Sequence, residues 1–248
     1  MESNRTERGR ILGILTTAVV IILAILIPTF WFARKILNRG YQAYDETRKQ
    51  VSGVLPEVEA TEYEGVALTP IKDQGNNAVE GTQNIDKEKY RLKITGLVDK
   101  ELSLKYDELL ELPSVSEAVY MPCVEGWGFT AKWTGIKVID ILDKAGLKDN
   151  ATYVVFHCNG GTYSTGHYID FLKDNEIIMA YGLNDVTLPD DRGFPFQLVA
   201  KSKYGYKWAK WITEIEVVDE AVAGYWEKRG YSDDGDVNKP GWTGTLSD

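Results

Sequence analysis

The sequence predicts an α+β domain carried behind a single membrane-spanning helix. Three observations predict it. Strand-like and helix-like segments interleave without the regular spacing of parallel βαβ units, which disfavours a doubly wound sheet. One long uncharged run lies near the start of the chain, set apart from the rest by an acidic stretch broken at Pro56. The composition, 44% hydrophobic and 11% aromatic over 248 residues, suits a chain that buries a core.

In chain order, residues 1–10 read as a short tail. The segment "ILGILTTAVVIILAILIPTFWF" then carries no charge and is long enough to cross about 30 Å of hydrocarbon as a helix, so residues 11–33 are expected to form a single-pass anchor. The run exceeds the roughly 7–15 apolar residues of a signal peptide, and no small-x-small cleavage site follows it. Trp31 and Phe32 would lie at the membrane interface. Arg5, Arg8 and Arg10 before the run are balanced by Arg34, Lys35 and Arg39 after it, so charge does not decide the orientation. Residues 34–65 read as a stalk and acidic linker, residues 66–232 as the globular domain, and residues 233–248 as a tail rich in Gly, Asp and Ser. From Glu227 onward the chain either wraps the domain through Tyr225, Trp226 and Trp242 or is partly disordered, with wrapping favoured for its first half.

Within the domain, "KYRLKITGLV" alternates Tyr90, Leu92 and Ile94 against charged neighbours, a half-buried strand ended by Gly96. "LSLKYDELLELP" predicts a short helix with Ser103 as its N-cap and Pro113 as its stop. "SEAVYMPCV" predicts a strand, "IKVIDILDKAGL" a helix closed by Gly146, and "TYVVFHC" a buried strand. "YIDFLKD" predicts another short helix. "EIIMAYGLNDVTLP", with a turn at Asn184 and Asp185, then "FQLVA" and "WITEIEVV" complete the strands. The chain has no internal repeat and no GxxxxGK[ST] phosphate loop.

A net charge of −9 argues against a general nucleic-acid binder, since phosphate-backbone affinity needs clustered Lys and Arg. The two cysteines, Cys123 and Cys158, give no disulfide framework, and one bridge or two free thiols both fit. Cys123, His157, Cys158 and His167 are zinc-type donors, but His157 and Cys158 are strand neighbours whose side chains point to opposite faces, and there is no C-x-x-C pair. Cys123 beside the loop Gly126–Gly128 suits a stabilised thiolate, yet nothing in the sequence brings a histidine base to it. The bland alternative, two small hydrophobes in the core, stays open for both thiols. The segment "DRGFPFQLVAKSKYGYKWAKW" gathers Arg192, Lys201, Lys203, Lys207 and Lys210 among glycines and aromatics. It reads either as an anion site with backbone N–H groups and flanking rings or as a solvated lysine face.

In combination these motifs resemble the molybdopterin-binding domain of the sulfite oxidase family, closest in pattern to its methionine sulfoxide reductase catalytic-subunit branch. "MPCVEGWGFTAKWTGIKVIDIL" resembles the family's cysteine segment, "MAYGLNDVTLPDDRGFPFQLV" the following hairpin, and "KYGYKWAKWITEIEV" the cofactor-phosphate loop and closing strand. The resemblance runs from about residue 66 to 232. It implies a mixed-sheet, sulfite-oxidase-like molybdopterin-binding fold and one molybdenum-molybdopterin per chain, with Cys123 as the metal's protein ligand and catalytic thiolate. By position it places Cys158 where the reductase branch has a cofactor-contacting threonine, and Arg192 where an Asn or His contacts the cofactor. Trp208, Ala209 and Lys210 fall on the phosphate-side segment, and Lys207 joins Lys210 in neutralising the phosphate. Asn76 or Asn77 falls on an asparagine-containing cofactor loop. Gln197 replaces the family's arginine in Gly-x-Pro-x-Arg, which removes a fixed charge and weakens the case for a dianionic substrate.

The implied function is a membrane-anchored molybdopterin oxidoreductase catalysing oxygen-atom transfer, sulfoxide-reductase-like or sulfite-oxidase-like. Its substrate would be a small-molecule or protein-bound oxo-compound. No haem motif is present, so electrons would pass through a separate haem or quinone-linked partner. By analogy with exported family members the domain would lie on the extracytoplasmic side of the cell membrane. The rival is a non-catalytic binding module that retains the fold, with Gln197 as its best support.

Overall fold

The computed structural model describes residues 55–239, all within a compact unit spanning residues 50–248. The expected anchor, residues 11–33, lies outside the described residues, as do residues 34–54 of the expected linker and residues 240–248 of the tail. Among the described residues no helix is long and apolar enough to cross a membrane.

A two-residue ladder, β1 (Glu62–Tyr63) with β2 (Val66–Ala67), precedes the main sheets. Strands β3 (Leu92–Gly96) and β4 (Leu102–Leu104) follow, then helix α1 (Tyr106–Leu110). The long strands β5 (Ser114–Pro122) and β6 (Gly128–Lys137) form a hairpin, and helix α2 (Val138–Ala145) comes next. Then come β7 (Tyr153–Cys158), β8 (Ser164–Tyr168), α3 (Ile169–Asp174) and β9 (Ile178–Leu183). The last strands are β10 (Val186–Thr187), β11 (Gln197–Val199) and β12 (Ile212–Val218).

One five-stranded sheet runs β10-β9-β6-β5, with β11 also on β9, and all its pairs are antiparallel. The other runs β4-β3-β12-β7-β8, and its β12–β3 pair is parallel. The fold is therefore α+β with a mixed sheet. Burial explains the order: β9 is buried at all six positions and takes partners on both edges, while β6 alternates buried Phe129, Ala131 and Trp133 with half-buried neighbours. Helix α2 covers the core with Val138, Ile141, Leu142 and Ala145, the i, i+3, i+4, i+7 stripe. It ends at Gly146, whose φ of 75° lets its N–H reach back to Leu142 O.

Three local expectations change. Ser103 is no N-cap: it pairs with Lys93 in the β3–β4 ladder, and the helix begins after Lys105, whose N–H is taken by Glu108 at 2.7 Å. Ile136 and Lys137, expected to open the helix, instead end the ten-residue strand β6, "GFTAKWTGIK". The expected linker packs on the domain from about residue 55, where Glu57 N donates to Asp185 O at 3.0 Å and Ala60 N to Asn184 O at 2.8 Å. The turn foreseen at Asn184 and Asp185 has both residues left-handed, φ 47° and 68°, which the hairpin β9–β10 requires.

Candidate functional site

Four segments converge on a cavity of about 340 Å³: the loop 75–83, the β5–β6 hairpin loop, the end of β7, and the loop 205–211. A fifth, the C-terminal stretch 224–231, contributes Trp226 and Tyr231. Eight of the sequence-predicted site residues line this space, namely Asn76, Asn77, Cys123, Cys158, Arg192, Gln197, Trp208 and Lys210.

Cys123 is the first residue beyond β5. Its N–H donates to Trp127 O at 2.8 Å and its carbonyl accepts Gly126 N–H at 3.1 Å, so the hairpin loop is a closed turn in which Gly126 adopts φ 89°. The thiol is half-buried and free. Burial raises it above its ordinary value and the Glu125 charge adds to the rise, while the backbone N–H groups of Glu125 and Val124 favour the thiolate and offset part of it. The loop is braced by Trp127, whose Nε1 donates to Glu125 Oε2 at 2.9 Å and whose ring lies so close to Gly75 that a side chain there would clash.

Cys158 also lines the cavity, paired with Ile212 at the end of β7. It is only 3% exposed, and burial pushes its thiol up to about 12 against the Lys210 N–H and ammonium, which favour the thiolate. His157, its neighbour, points to the other face and pairs with Glu216 at 2.8 Å. His167 is buried beside Lys207 O at 3.1 Å, and burial with the nearby Lys207 charge holds it well below the ordinary histidine range. Among the described residues no group of three or more His, Cys, Asp or Glu is placed to hold a metal ion.

The lysine-rich segment is not a uniform cationic face. Lys201 pairs with Glu117 at 2.7 Å, Lys203 with Asp234, and Lys207 with Glu227 at 2.6 Å. Lys207 is fully buried and does not line the cavity, which corrects the expectation that it neutralises a bound phosphate. Ala209 is likewise buried away from the cavity, its carbonyl accepting Leu198 N–H at 2.8 Å. Lys210 does face the cavity: its Nζ donates to Asn76 Oδ1 at 2.7 Å and Asn77 O at 2.6 Å, both neutral, and lies 4.7 Å from the Trp211 ring centre. Burial, then the Arg192 charge, lowers it to about 8.

Arg192 lines the cavity, but its guanidinium is committed to protein carbonyls, those of Gly75, Ile71 and Gln74 at 2.9, 3.0 and 3.1 Å. Its Nε is 3.3 Å from Asp191 Oδ2, near enough for an ion pair but without hydrogen-bond geometry. It thus holds the asparagine loop in place, and Asn76 Nδ2 adds a bond to Asp191 O at 2.8 Å. Gln197 brings a neutral amide, 6% exposed, to the wall. Trp208 packs edge-on to Trp133 at 5.7 Å and donates Nε1 to Lys203 O at 2.9 Å.

Sequence reasoning missed Asn159, Tyr163, Trp226 and Tyr231 in the lining. The first two follow the recognised strand "TYVVFHC", where a glycine pair, Gly160 and Gly161, both at positive φ, turns the chain back over the cavity.

The family described as oxidoreductase molybdopterin binding domain matches residues 79–226. The chain is 34% identical over 152 residues to the uncharacterized oxidoreductase YuiH of Bacillus subtilis, covering 61% of this chain and 76% of that one. It is 32% identical over 156 residues to the protein-methionine-sulfoxide reductase catalytic subunit MsrP of Gluconobacter oxydans, covering 56% of this chain and 50% of the relative. The chain thus spans most of the first relative but only half the length of the second. Among solved structures, the sulfane dehydrogenase SoxCD of Paracoccus pantotrophus superposes with a TM-score of 0.60 at 22% identity, over 62% of this chain and 44% of that one, a likeness of fold.

Proposed function

The chain belongs to the oxidoreductase molybdopterin-binding domain family, and from that premise we propose that it is a membrane-anchored oxidoreductase that transfers an oxygen atom to or from an oxo-substrate. It would hold one molybdenum-molybdopterin per chain. When bound, that group supplies two-electron redox chemistry at an oxygen-exchanging metal.

The observation that carries the reading is Cys123: a free thiol on a hydrogen-bonded turn, at a cavity of suitable size, with no competing cluster of ligands among the described residues. A metal that took most of its sulfur ligands from the cofactor would need one protein thiolate, and Cys123 offers one. The lining fits the rest of the group. The Lys210 ammonium, held only by neutral partners, would meet the cofactor's anionic end, with Asn76, Asn77, Arg192 and Gln197 beside it. Trp208 and the buried Cys158 supply apolar wall. The Val124 and Glu125 amides stabilise negative charge on Cys123 Sγ, and metal binding would displace the proton that burial otherwise retains. Lys210, lowered to about 8, can hold or release a proton at Nζ near that pH.

Gln197 leaves Lys210 as the cavity-lining cation whose partners are all neutral, which favours a neutral oxo-substrate, a small molecule or a protein side chain, over a dianion. Electrons would come from or go to a separate haem or quinone-linked partner, with residues 11–33 anchoring the domain on the extracytoplasmic side. Metal analysis of protein made in a molybdenum-replete host tests the reading; stoichiometric zinc, or no metal, would contradict it. Gln197 also supports the second reading, a non-catalytic module. Full molybdenum occupancy without redox turnover on sulfoxides, N-oxides or sulfite would favour that one.

A further inference from the structure

Lys207 and Glu227 meet at 2.6 Å with their side chains 0% and 2% exposed. Thr165 Oγ1 donates to the same carboxylate oxygen at 2.7 Å, whereas Glu227 Oε2 has no hydrogen-bond partner. A buried ion pair is weak evidence of stability, because desolvation offsets most of the attraction and an apolar pair of like volume often does as well. What such a pair supplies is direction: one oxygen is fixed at once by an ammonium and a hydroxyl, which an apolar contact would let slide.

The pair joins two walls of the cavity. Lys207 closes the 3₁₀ turn Gly205–Lys207, and Gly205, Tyr206 and Trp208 line the space. Glu227 opens the turn Glu227–Arg229, flanked by the lining residues Trp226 and Tyr231. The chain on either side is tied to β8 and to the lysine loop. Tyr225 N donates to Ser164 O and Tyr204 N to Gly235 O, both at 2.8 Å, and Val237 N donates to Ser202 O at 3.0 Å. Tyr206 OH donates to Ser232 O at 2.7 Å, and its ring meets that of Tyr231 edge-on at 5.1 Å. At Gly235 a side chain would collide with the Lys207 stem, and at Gly224 with Ser164 O and Glu227 Oε2, so the strap is seated at both ends.

We propose that Lys207 and Glu227 are positioning residues that fix the strap 224–237 as the closing wall of the cofactor cavity. The proposal rests on the cofactor reading above. Glu227 lies just beyond the residues that the family match covers.

The test uses the full chain with Lys207→Met and Glu227→Leu combined, which removes both charges and leaves neither partner stranded. Two quantities are followed beside the melting temperature: tryptic cleavage at the exposed Lys228 and Arg229, located by mass spectrometry, and molybdenum retained per chain after gel filtration. The expected result is a melting temperature near that of the parent, cleavage at these bonds faster by about tenfold or more, and molybdenum retention reduced several-fold. A folded double variant with parental cleavage and retention overturns the proposal. Should the double variant fail to fold, hydrogen exchange in the parent decides: protected amides at Tyr225, Tyr231 and Val237 support a fixed strap, and exchange at the rate of unstructured chain overturns it. A parent protein free of molybdenum whose double variant is still cleaved faster contradicts the cofactor reading alone.

Discussion

Two cysteines line one cavity, and their surroundings differ in what they offer. Cys123 lies on a turn between two long strands, half-buried, with backbone N–H groups that favour its thiolate. Cys158 ends a strand inside the core at 3% exposure, its thiol raised to about 12. The residue type is the same, and so is the cavity. Backbone N–H groups favour the thiolate at both sulfurs, so what separates the proposed ligand from a wall is exposure: Cys123 is half-buried on a turn, whereas Cys158 is packed into the core.

The largest expected effect breaks the comparison on the Cys123 side. Cys123→Ser should lower oxygen-atom transfer by about 10³-fold or more, since a hydroxyl cannot replace a soft thiolate, while the unfolding free energy changes by less than about 1 kcal/mol. Steady-state turnover and chemical denaturation check the two halves. An equal loss of fold and activity would make Cys123 a core residue instead.

Next in size is the brace that holds the asparagine loop against the Cys123 turn. Arg192→Met leaves the carbonyls of Ile71, Gln74 and Gly75 without their donor, and should destabilise the domain by about 2–4 kcal/mol in denaturant unfolding. Molybdenum occupancy should fall with it, because Asn76 and Lys210 are positioned through the same loop.

Much of this was legible in the sequence and some was not. The strand "TYVVFHC" and helix "IKVIDILDKAGL" declare themselves by periodicity, and the order of motifs around Cys123 carried the family. Strand β6 hid because Gly128, Ala131 and Gly135 dilute its β-propensity, even though Phe129, Ala131 and Trp133 alternate inward as a strand requires. The fates of the lysines were invisible for another reason. Lys207 and Lys210 look alike in "KYGYKWAKW", and only the fold brings Glu227, 20 residues on, to the first and leaves the second with two asparagines. A charge pattern counts cations but does not say which are already neutralised.

The Cys158 wall yields smaller effects. Lys210, next to Cys158, has its folded value lowered to about 8 from an ordinary 10.5. Between those values the unfolded chain binds the extra proton, so the cost of burying the charge is full below about 8 and is relieved as pH rises towards 10.5. Stability of the cofactor-free protein should therefore increase over that window, and Lys210→Met should flatten the increase in urea titrations at several pH values. Smallest of all, Cys158→Ala should cost about 1 kcal/mol for the lost sulfur contacts and leave turnover within a few-fold of the parent.

On the proposed reading one sulfur of this chain, that of Cys123, binds one molybdenum. Molybdenum K-edge X-ray absorption on the parent, Cys123→Ser and Cys158→Ala proteins tests it most directly. One fewer sulfur neighbour around the metal is expected in Cys123→Ser and an unchanged shell in Cys158→Ala; an unchanged shell in Cys123→Ser, or a sulfur lost in Cys158→Ala, would rule Cys123 out as the ligand.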